Sequence, residues 1–140
     1  MTNLKNQLFR LLLVQGKKRT SEKIIFLFLK SLQKNHKKNP KLLIKSAFIN
    51  SSPLTQIKKI RRKRRQTKEF PIILKKKLRI NLGIKSIIHY SKESLSNSFY
   101  HKFLTTIVNS SKYQSANVLK KELVHENSFI KKKYSNYRWF

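Results

Sequence analysis

The sequence predicts a mainly α-helical fold, an about six-helix bundle with one protruding basic β-hairpin. Apolar residues recur at the three- and four-residue spacing of an amphipathic helix in six segments. Between the third and fourth of them, two apolar-containing arms flank a run of basic residues. With 140 residues and 39% hydrophobic content, the chain suits a single domain, residues 1–140, with a modest core.

The first two helices are predicted from their apolar stripes and end signals. Residues 3–14 carry leucines at helical spacing, and Gly16 follows where a left-handed C-terminal stop is expected. Thr20 or Ser21 can cap the second helix, and Glu22 would then lie in its first turn, where the helix dipole favours an acid.

A third helix is expected after a polar loop. The second helix is predicted to end near Gln33, and residues 34–39 are typical of a loop. Pro40 suits the first turn of the next helix, because the proline nitrogen needs no hydrogen-bond partner there. Ser51-Ser52-Pro53 breaks the pattern and ends that helix.

Residues 54–74 are interpreted as the protruding hairpin. Two arms flank the basic run Arg61-Arg62-Lys63-Arg64-Arg65. The segment lacks the Asn-Gly or Gly-Gly pair typical of a tight hairpin turn. From the residues alone, a hairpin and a flexible loop both remain open.

Three more helices are predicted in the second half of the chain. Apolar spacing returns over residues 78–88, again over 99–107, and finally from Val118 onward. In the fourth helix the side chains expected to face inward are Leu78, Leu82 and Ile88. Residues 91–98 and 109–115, which contain Ser and Asn, are the expected connectors.

The charge of the chain predicts a polyanionic partner. There are 34 Lys and Arg residues against five Glu and no Asp, so the formal net charge is +29. Partner phosphates would neutralise the repulsion among these cations, which favours nucleic acid. A membrane surface is disfavoured because the basic residues are spread over every segment and no apolar stretch is long enough for a span.

Catalysis has little support in the sequence, so we expect that the chain is not an enzyme and carries no cofactor. The chain has no Cys and only two Gly, which excludes thiol chemistry and a Gly-rich phosphate loop. Glu122, His125 and Glu126 share a helix face and could bind a metal or act as acid and base. We expect instead an ordinary helix surface with ion pairs, because Lys120 and Lys121 lie beside them.

Four landmarks, in order along nearly the whole chain, resemble the small ribosomal subunit protein 7 family. The landmarks are residues 12–22, an apolar helix end with a Gly-Lys-Lys turn and an acid; 53–71, with Ile57-Lys58, Arg61-Arg62 and Thr67; 71–85, with Pro71-Ile72-Ile73-Leu74-Lys75, Arg79, Leu82 and Lys85; and 120–139, with Lys120-Lys121-Glu122-Leu123-Val124-His125, Tyr134 and Tyr137-Arg138-Trp139.

The resemblance implies a structural constituent of the small ribosomal subunit. Such a protein binds the 3′ major domain of the subunit RNA and helps organise the head, with its hairpin near the exit tRNA site and the mRNA path. The implied partners are small-subunit rRNA and neighbouring small-subunit proteins, with tRNA and mRNA nearby. The alternative function is a free-standing basic RNA- or DNA-binding protein.

Three departures from the family pattern affect these expectations. The family usually has Gly-Gly at the hairpin bend, where this chain has Arg64-Arg65, and the hairpin is about one residue longer. Lys76 replaces a Pro common ahead of the next helix. The basic N-terminal arm of bacterial members is expected to be missing, so that its RNA contacts are lost or supplied by another protein.

Basic and aromatic side chains in four places are the candidate RNA contacts. Arg can bind phosphate through two hydrogen bonds and also stack on bases, and a narrow hairpin can enter folded RNA. For the hairpin run the competing interpretation is a nuclear-localisation-like or merely solvated basic run, and for the other groups it is ordinary surface charge or packing. The candidates are Lys17, Lys18, Arg19, Lys58, Lys59, Arg61, Arg62, Lys63, Arg64, Arg65, Lys75, Lys76, Lys77, Arg79, Lys85, Tyr137, Arg138 and Trp139.

Composition also suggests a cellular location. Lys, Ile, Asn, Phe, Ser and Leu are abundant and Gly is scarce, as codons rich in A and T would supply. Together with the bacterial-type resemblance, this favours a protein made in a mitochondrion. A plastid or a bacterial cytoplasm is the alternative.

Overall fold

A computed structural model describes residues 2–35, 39–61, 67–93 and 98–136. It confirms a mainly helical fold with one antiparallel hairpin. Within the described residues, the elements are α1 Thr2–Leu12, α2 Lys18–Asn35, α3 Pro40–Ser51, β1 Thr55–Arg61, β2 Thr67–Ile73, α4 Lys76–Glu93, α5 Phe99–Ser111, α6 Ala116–Ile130 and a short 3₁₀ helix, Lys132–Tyr134.

The core lies among α1 to α5, with α5 at its centre. Phe103 and Ile107 of α5 are fully buried. The ring of Phe103 meets that of Phe28 from α2 edge to face, with 4.9 Å between the ring centroids. Apolar side chains from α1, α3 and α4 complete the same cluster. Burial of these side chains holds the helices together and so fixes the positions of their outer, basic faces.

The junction of α1 and α2 corrects two sequence expectations. Helix α2 begins at Lys18, so Glu22 lies beyond its first turn. The hydroxyls of Thr20 and Ser21 donate to the carbonyls of Lys17 and Lys18 at 2.7 and 2.8 Å, instead of capping the helix. This is the back-bonding that competes with capping when Ser or Thr lies inside a helix.

Helix α3 begins as predicted. Pro40 occupies its first turn, and the side chain of Asn39 accepts a hydrogen bond from the backbone N–H of Lys41 at 3.2 Å. The side chain of Asn39 therefore satisfies one of the free backbone N–H groups at the start of this helix, and Pro40 has no N–H that would need a partner.

A buried polar cluster joins α3, α5 and α6. The amide nitrogen of Asn50 donates to the carbonyl of Ser110 at 3.1 Å. Asn117 donates to the hydroxyl of Ser51 at 2.6 Å, and its amide oxygen lies 3.1 Å from the hydroxyl of Ser110. Because such buried groups are costly when unpaired, this cluster fixes where α6 begins against the bundle.

Helix α4 crosses the end of α3 at close range. A β-carbon built on Gly83 would lie 2.9 Å from the hydroxyl oxygen of Ser52, so glycine allows this approach. Leu82 is half-buried and Ile88 is buried. The prediction that Leu78 faces inward is wrong, since this side chain is 51% exposed in the first turn of α4, before the helix reaches the core.

The expected connectors are shorter than predicted. Helix α4 continues to Glu93, with Ser91 buried inside it, and α5 continues to Ser111.

None of the helices in the described ranges combines the length and apolar character needed to cross a membrane.

Candidate nucleic-acid interface

The hairpin is an antiparallel pair with a regular register. Thr55 lies opposite Ile73, and Arg61 lies opposite Thr67 at the far end. This confirms the hairpin predicted over residues 54–74. The residues predicted for its basic tip, Arg62, Lys63, Arg64 and Arg65, lie outside the described residues, whereas Arg61 is the last residue of β1.

The root of the hairpin is bonded to α6. The backbone N–H of Leu54 donates to Nε2 of His125 at 2.9 Å, and the hydroxyl of Thr55 donates to that of Ser128 at 2.9 Å. Phe70 of β2 is buried and meets Tyr134 edge to face, with ring centroids 6.2 Å apart. The hairpin therefore leaves the bundle from a fixed base.

His125 has a structural role in the described molecule. Burial lowers the pKa of the His125 imidazole, the positive charges of Lys121 and Arg79 lower the pKa further, and Glu122 opposes them. A neutral imidazole can accept the Leu54 hydrogen bond at Nε2, whereas a protonated one cannot. In the described ranges, no group of three His, Cys, Asp or Glu side chains is placed to hold a metal ion.

Glu69 neutralises part of the hairpin's positive charge. One carboxylate oxygen lies 3.0 Å from the ammonium of Lys59, and the other contacts the ammonium of Lys131. Lys59 was predicted from sequence as an RNA contact, yet here its charge already has a carboxylate partner. Its side chain remains largely exposed, so it can still face a phosphate.

A basic groove opens where the hairpin root, α4 and α6 meet. Its volume is about 320 Å³, and Leu82, Pro53 and Val124 supply apolar walls. Lysines and rings line another part of it, namely Lys85, His89, Tyr90, Lys120 and Lys121, and neutral polar side chains line the remainder. Such a mixture can bind phosphate through the ammonium groups and stack a base on the ring.

Two cations of the groove have defined neighbours. The ammonium of Lys120 lies 5.7 Å from the centroid of the Tyr90 ring, within the range of a cation–π contact. The ammonium of Lys121 donates to the carbonyl of Asn50 at 2.9 Å, so this side chain also stabilises the end of α3. His89 pairs with Glu93 at 3.1 Å on the outer side of α4.

Sequence reasoning missed most of this groove. Of the predicted contacts, only Lys85 lines it among the described residues. Lys120, Lys121 and Tyr90 were not proposed as RNA contacts, because their helices come together only in the fold. The sequence feature that could have indicated the groove is the adjacent pair Lys120 and Lys121 in the fourth landmark, which we interpreted as ion-pair partners of the nearby Glu residues.

The other described candidates lie outside the groove. Lys75, Lys76 and Lys77 are exposed at the start of α4, and Arg79 is half-buried. Lys17, Lys18 and Arg19 are exposed at the turn before α2 and in its first residues. Tyr137, Arg138 and Trp139 lie outside the described residues.

The backbone N–H groups of Lys17 and Lys18, at the turn before α2, are bonded within the turn. Gln15 and Gly16 are both left-handed, with φ of 53° and 70°. The backbone N–H of Lys17 donates to the carbonyl of Val14 at 3.1 Å. The backbone N–H of Lys18 donates to the carbonyl of Gly16 at 2.8 Å. These two backbone N–H groups are therefore not available to a phosphate, and the side chains of Lys17, Lys18 and Arg19 remain as donors.

The sequence is similar to those of known proteins of one family. The family model described as ribosomal protein S7p/S5e matches residues 1–128. The chain is 28% identical over 139 residues to small ribosomal subunit protein uS7 of Heliobacterium modesticaldum, covering 99% of this chain and 86% of that one. It is 28% identical over 128 residues to uS7 of Leptospira biflexa, covering 91% and 81%. With uS7 of Mycobacterium ulcerans the identity is 24% over 138 residues, covering 99% and 88%. The chain belongs to the ribosomal protein S7p/S5e family.

Proposed function

We propose that this chain is a structural constituent of the small ribosomal subunit that binds the 3′ major domain of its rRNA and helps organise the head. The observation that carries the proposal is the family match over residues 1–128. Binding of small-subunit rRNA as a structural protein follows from family membership. The finer location rests on the resemblance of the four landmarks.

The proposed rRNA interface consists of the hairpin, the basic groove and the exposed start of α4. The apolar core of α1 to α5 holds α4 in place, and hydrogen bonds from α6 hold the root of the hairpin. These connections support treating residues 1–140 as a single domain. Cations held in a fixed pattern replace condensed counterions at packed phosphates, so binding is favourable and depends steeply on salt.

The hairpin is proposed to project toward the exit tRNA and the mRNA path. Its bonded root and its basic end support this orientation, since a narrow arm can reach between RNA strands. The groove lies at the opposite end of the hairpin, beside α6. In this proposal the groove binds rRNA at the surface of the head, while the tip of the hairpin reaches toward the exit tRNA and the mRNA.

The proposed location is the small ribosomal subunit of a mitochondrion. The support is compositional, because Lys, Ile and Asn are abundant while the chain has only two Gly. The three relatives named above are bacterial, and a bacterial cytoplasm is the second candidate. Fractionation of cells with organelle markers distinguishes the two.

A domain-selective binding experiment tests the proposed RNA target. Purified full-length chain is titrated with labelled transcripts of the 3′ major domain and, as a control, of the 5′ domain of small-subunit rRNA. We expect tighter binding to the 3′ major domain at every salt concentration, by about 10³-fold or more, as specific sites usually show. Equal affinity for both transcripts would contradict the proposal and favour a free-standing nucleic-acid-binding protein.

A further inference from the structure

Tyr90 is a flat ring held in the wall of the basic groove. Its neighbours on α4, Ile87, Ile88 and Ser91, are buried in the bundle, so the backbone that carries the ring is anchored. The side chain itself is half-buried and lines the groove. A ring that is already held in place loses little conformational freedom when a flat ligand stacks on it. Tyr90 is therefore a preformed stacking surface.

The groove has the size and the chemistry of a site for one flat ring. Its volume of about 320 Å³ lies near the lower end of the range for small-ligand sites. Apolar walls from Pro53, Leu82 and Val124 accompany Tyr90. Gln56 of β1 is exposed and lines the same groove, and its amide offers a donor and an acceptor. A nucleobase needs both kinds of surface, apolar contacts for its faces and polar groups for its edge.

The charge around the ring is positive. Three lysines line the groove, and none of the described residues that line it is Asp or Glu. The ammonium of Lys121 already donates to the carbonyl of Asn50 at 2.9 Å. Lys85 and Lys120 are exposed, so their ammonium groups are free to reach a phosphate next to a bound base.

Lys120 occupies a face of the Tyr90 ring in the unbound chain. Its ammonium lies 5.7 Å from the ring centroid, near the outer limit of about 6 Å for a cation–π contact. Because the lysine is exposed and this contact is long, the side chain can turn toward a phosphate and leave the ring face to a base. The same side chain thus protects the ring without RNA and binds the RNA backbone with it.

We propose that the basic groove binds one unpaired nucleotide of RNA, with its base stacked on Tyr90 and a phosphate contacted by Lys85 and Lys120. The inference rests on the proposed function and deepens it, because it names the kind of nucleotide that this site takes. A base inside an A-form duplex has its faces covered by the neighbouring pairs, so it cannot reach a recessed ring. A nucleotide in a bulge or loop is already outside the stack and costs least to insert.

Three RNA hairpins of equal length test the proposal on the native chain. The first carries one bulged adenosine, the second carries an abasic residue at the bulge, and the third has a continuous stem. We expect the bulged adenosine to bind about tenfold or more tighter than the abasic bulge, because base stacking on an aromatic ring is lost in the latter. Equal affinity for these two RNAs would show that the groove contacts only phosphates, and the proposal would be wrong.

The native chain also distinguishes RNA from a soluble nucleotide. Free adenosine monophosphate lacks the flanking phosphates, so it should bind at least about 10²-fold more weakly than the bulged hairpin. Equal affinity would identify a small nucleotide as the ligand and overturn the proposal. An acidic peptide that displaces the bulged RNA more effectively than the continuous stem does would overturn it as well.

Variants separate the base contact from the phosphate contacts. Tyr90→Ala should reduce the ratio between bulged and abasic affinities to within about twofold, whereas Tyr90→Phe keeps the ring and should retain the ratio. Lys120→Gln should weaken both RNAs by the same factor, since it removes only a phosphate contact. Phe26→Ala removes an exposed ring of α2 outside the groove and should change nothing. Equal effects of Tyr90→Ala and Phe26→Ala would contradict the proposal.

The inference and the proposed function fail in different measurements. Selective binding of the 3′ major domain together with equal affinity for the bulged and abasic hairpins would overturn the inference and leave the proposed function standing. Equal affinity for the 3′ major and 5′ domains would contradict the proposed function. The hairpin ratio does not depend on which rRNA domain is bound, so it still decides whether the groove takes an unpaired base.

Discussion

A hydrogen bond joins His125 of α6 to Leu54, the residue directly before β1. The backbone N–H of Leu54 donates to Nε2 of His125 at 2.9 Å. The two residues are 71 positions apart in the chain. The bond links α6, which lines the basic groove, to the arm proposed to enter the RNA. The neutral imidazole of His125 is therefore one of the contacts that hold the two parts of the interface together, beside the hydrogen bond between Thr55 and Ser128.

Replacing this imidazole should loosen the hairpin root. His125→Ala removes the acceptor of the Leu54 N–H, a hydrogen bond at an exposed position, so we expect a loss of about 0.5–1.5 kcal/mol in the free energy of unfolding. Thermal unfolding followed by circular dichroism in sulfate buffer measures it, since sulfate offsets the repulsion of the cations. His101→Ala, at an exposed site on α5, should change stability by less than about 0.5 kcal/mol. Equal effects of the two substitutions would contradict the structural role.

Stability should depend on pH through the same residue. Burial and the nearby cations Lys121 and Arg79 hold the pKa of His125 below its ordinary value, so the unfolded chain binds its proton first on acidification. The stabilisation is therefore complete above an ordinary His pKa of about 6.5 and is lost as pH falls through the lower folded value. Unfolding measured from about pH 7.5 down to 5.5 should show this loss.

His125→Gln provides the control for the pH measurement. The amide oxygen of Gln can accept a hydrogen bond but does not titrate in this range. The variant should show a smaller decrease in stability on acidification than the native chain. An identical decrease in both proteins would assign the effect to the other histidines.

Gly83→Ala should destabilise the crossing of α4 and α3. Alanine favours a helix over glycine by about 1 kcal/mol, but its β-carbon would lie 2.9 Å from the Ser52 hydroxyl oxygen. We expect the clash to prevail, with a net loss of about 1–3 kcal/mol in the free energy of unfolding. Adding Ser52→Ala should recover part of that loss. A gain in stability from the single substitution would show that the helices can separate at no cost.

Removing cations from the groove should weaken RNA binding and its salt dependence together. Lys85→Gln and Lys120→Gln each remove one proposed phosphate contact, so the slope of log K against log salt should fall by about 0.7–0.9 per substitution. Filter binding to the 3′ major domain transcript measures both quantities. Lys30→Gln, exposed on α2 and outside the groove, removes the same charge as a control. If all three variants lose the same slope, the groove has no special role.

Periodicity and end signals allowed most of the fold to be predicted. Apolar spacing identified each of the six α-helices found among the described residues, and Pro40 correctly located the start of α3. The cap predicted at Thr20 or Ser21 was wrong because a hydroxyl can also donate to a carbonyl one turn back, and the two choices look alike in sequence. The prediction that Leu78 faces inward was wrong because apolar periodicity does not show at which turn a helix first contacts the core.

The candidate interface was less accessible to sequence reasoning. The groove combines Lys85 and Tyr90 of α4 with Lys120 of α6, and nothing local brings these residues together. The contact of Glu69 with Lys131 also depends on the hairpin packing against the end of α6, whereas Glu69 lies directly opposite Lys59 in the hairpin itself. Basic runs predict a polyanionic partner, whereas only tertiary packing shows which cations share a surface.

Stoichiometry in the purified small subunit tests the central claim most directly. Lysate is sedimented through sucrose gradients at high salt, and the chain is quantified by mass spectrometry against other subunit proteins. The account predicts about one copy per small subunit that persists as salt is raised, because an assembled rRNA site combines many phosphate contacts with a fixed fold. Release of the chain from subunits at moderate salt, or its absence from them, would contradict it.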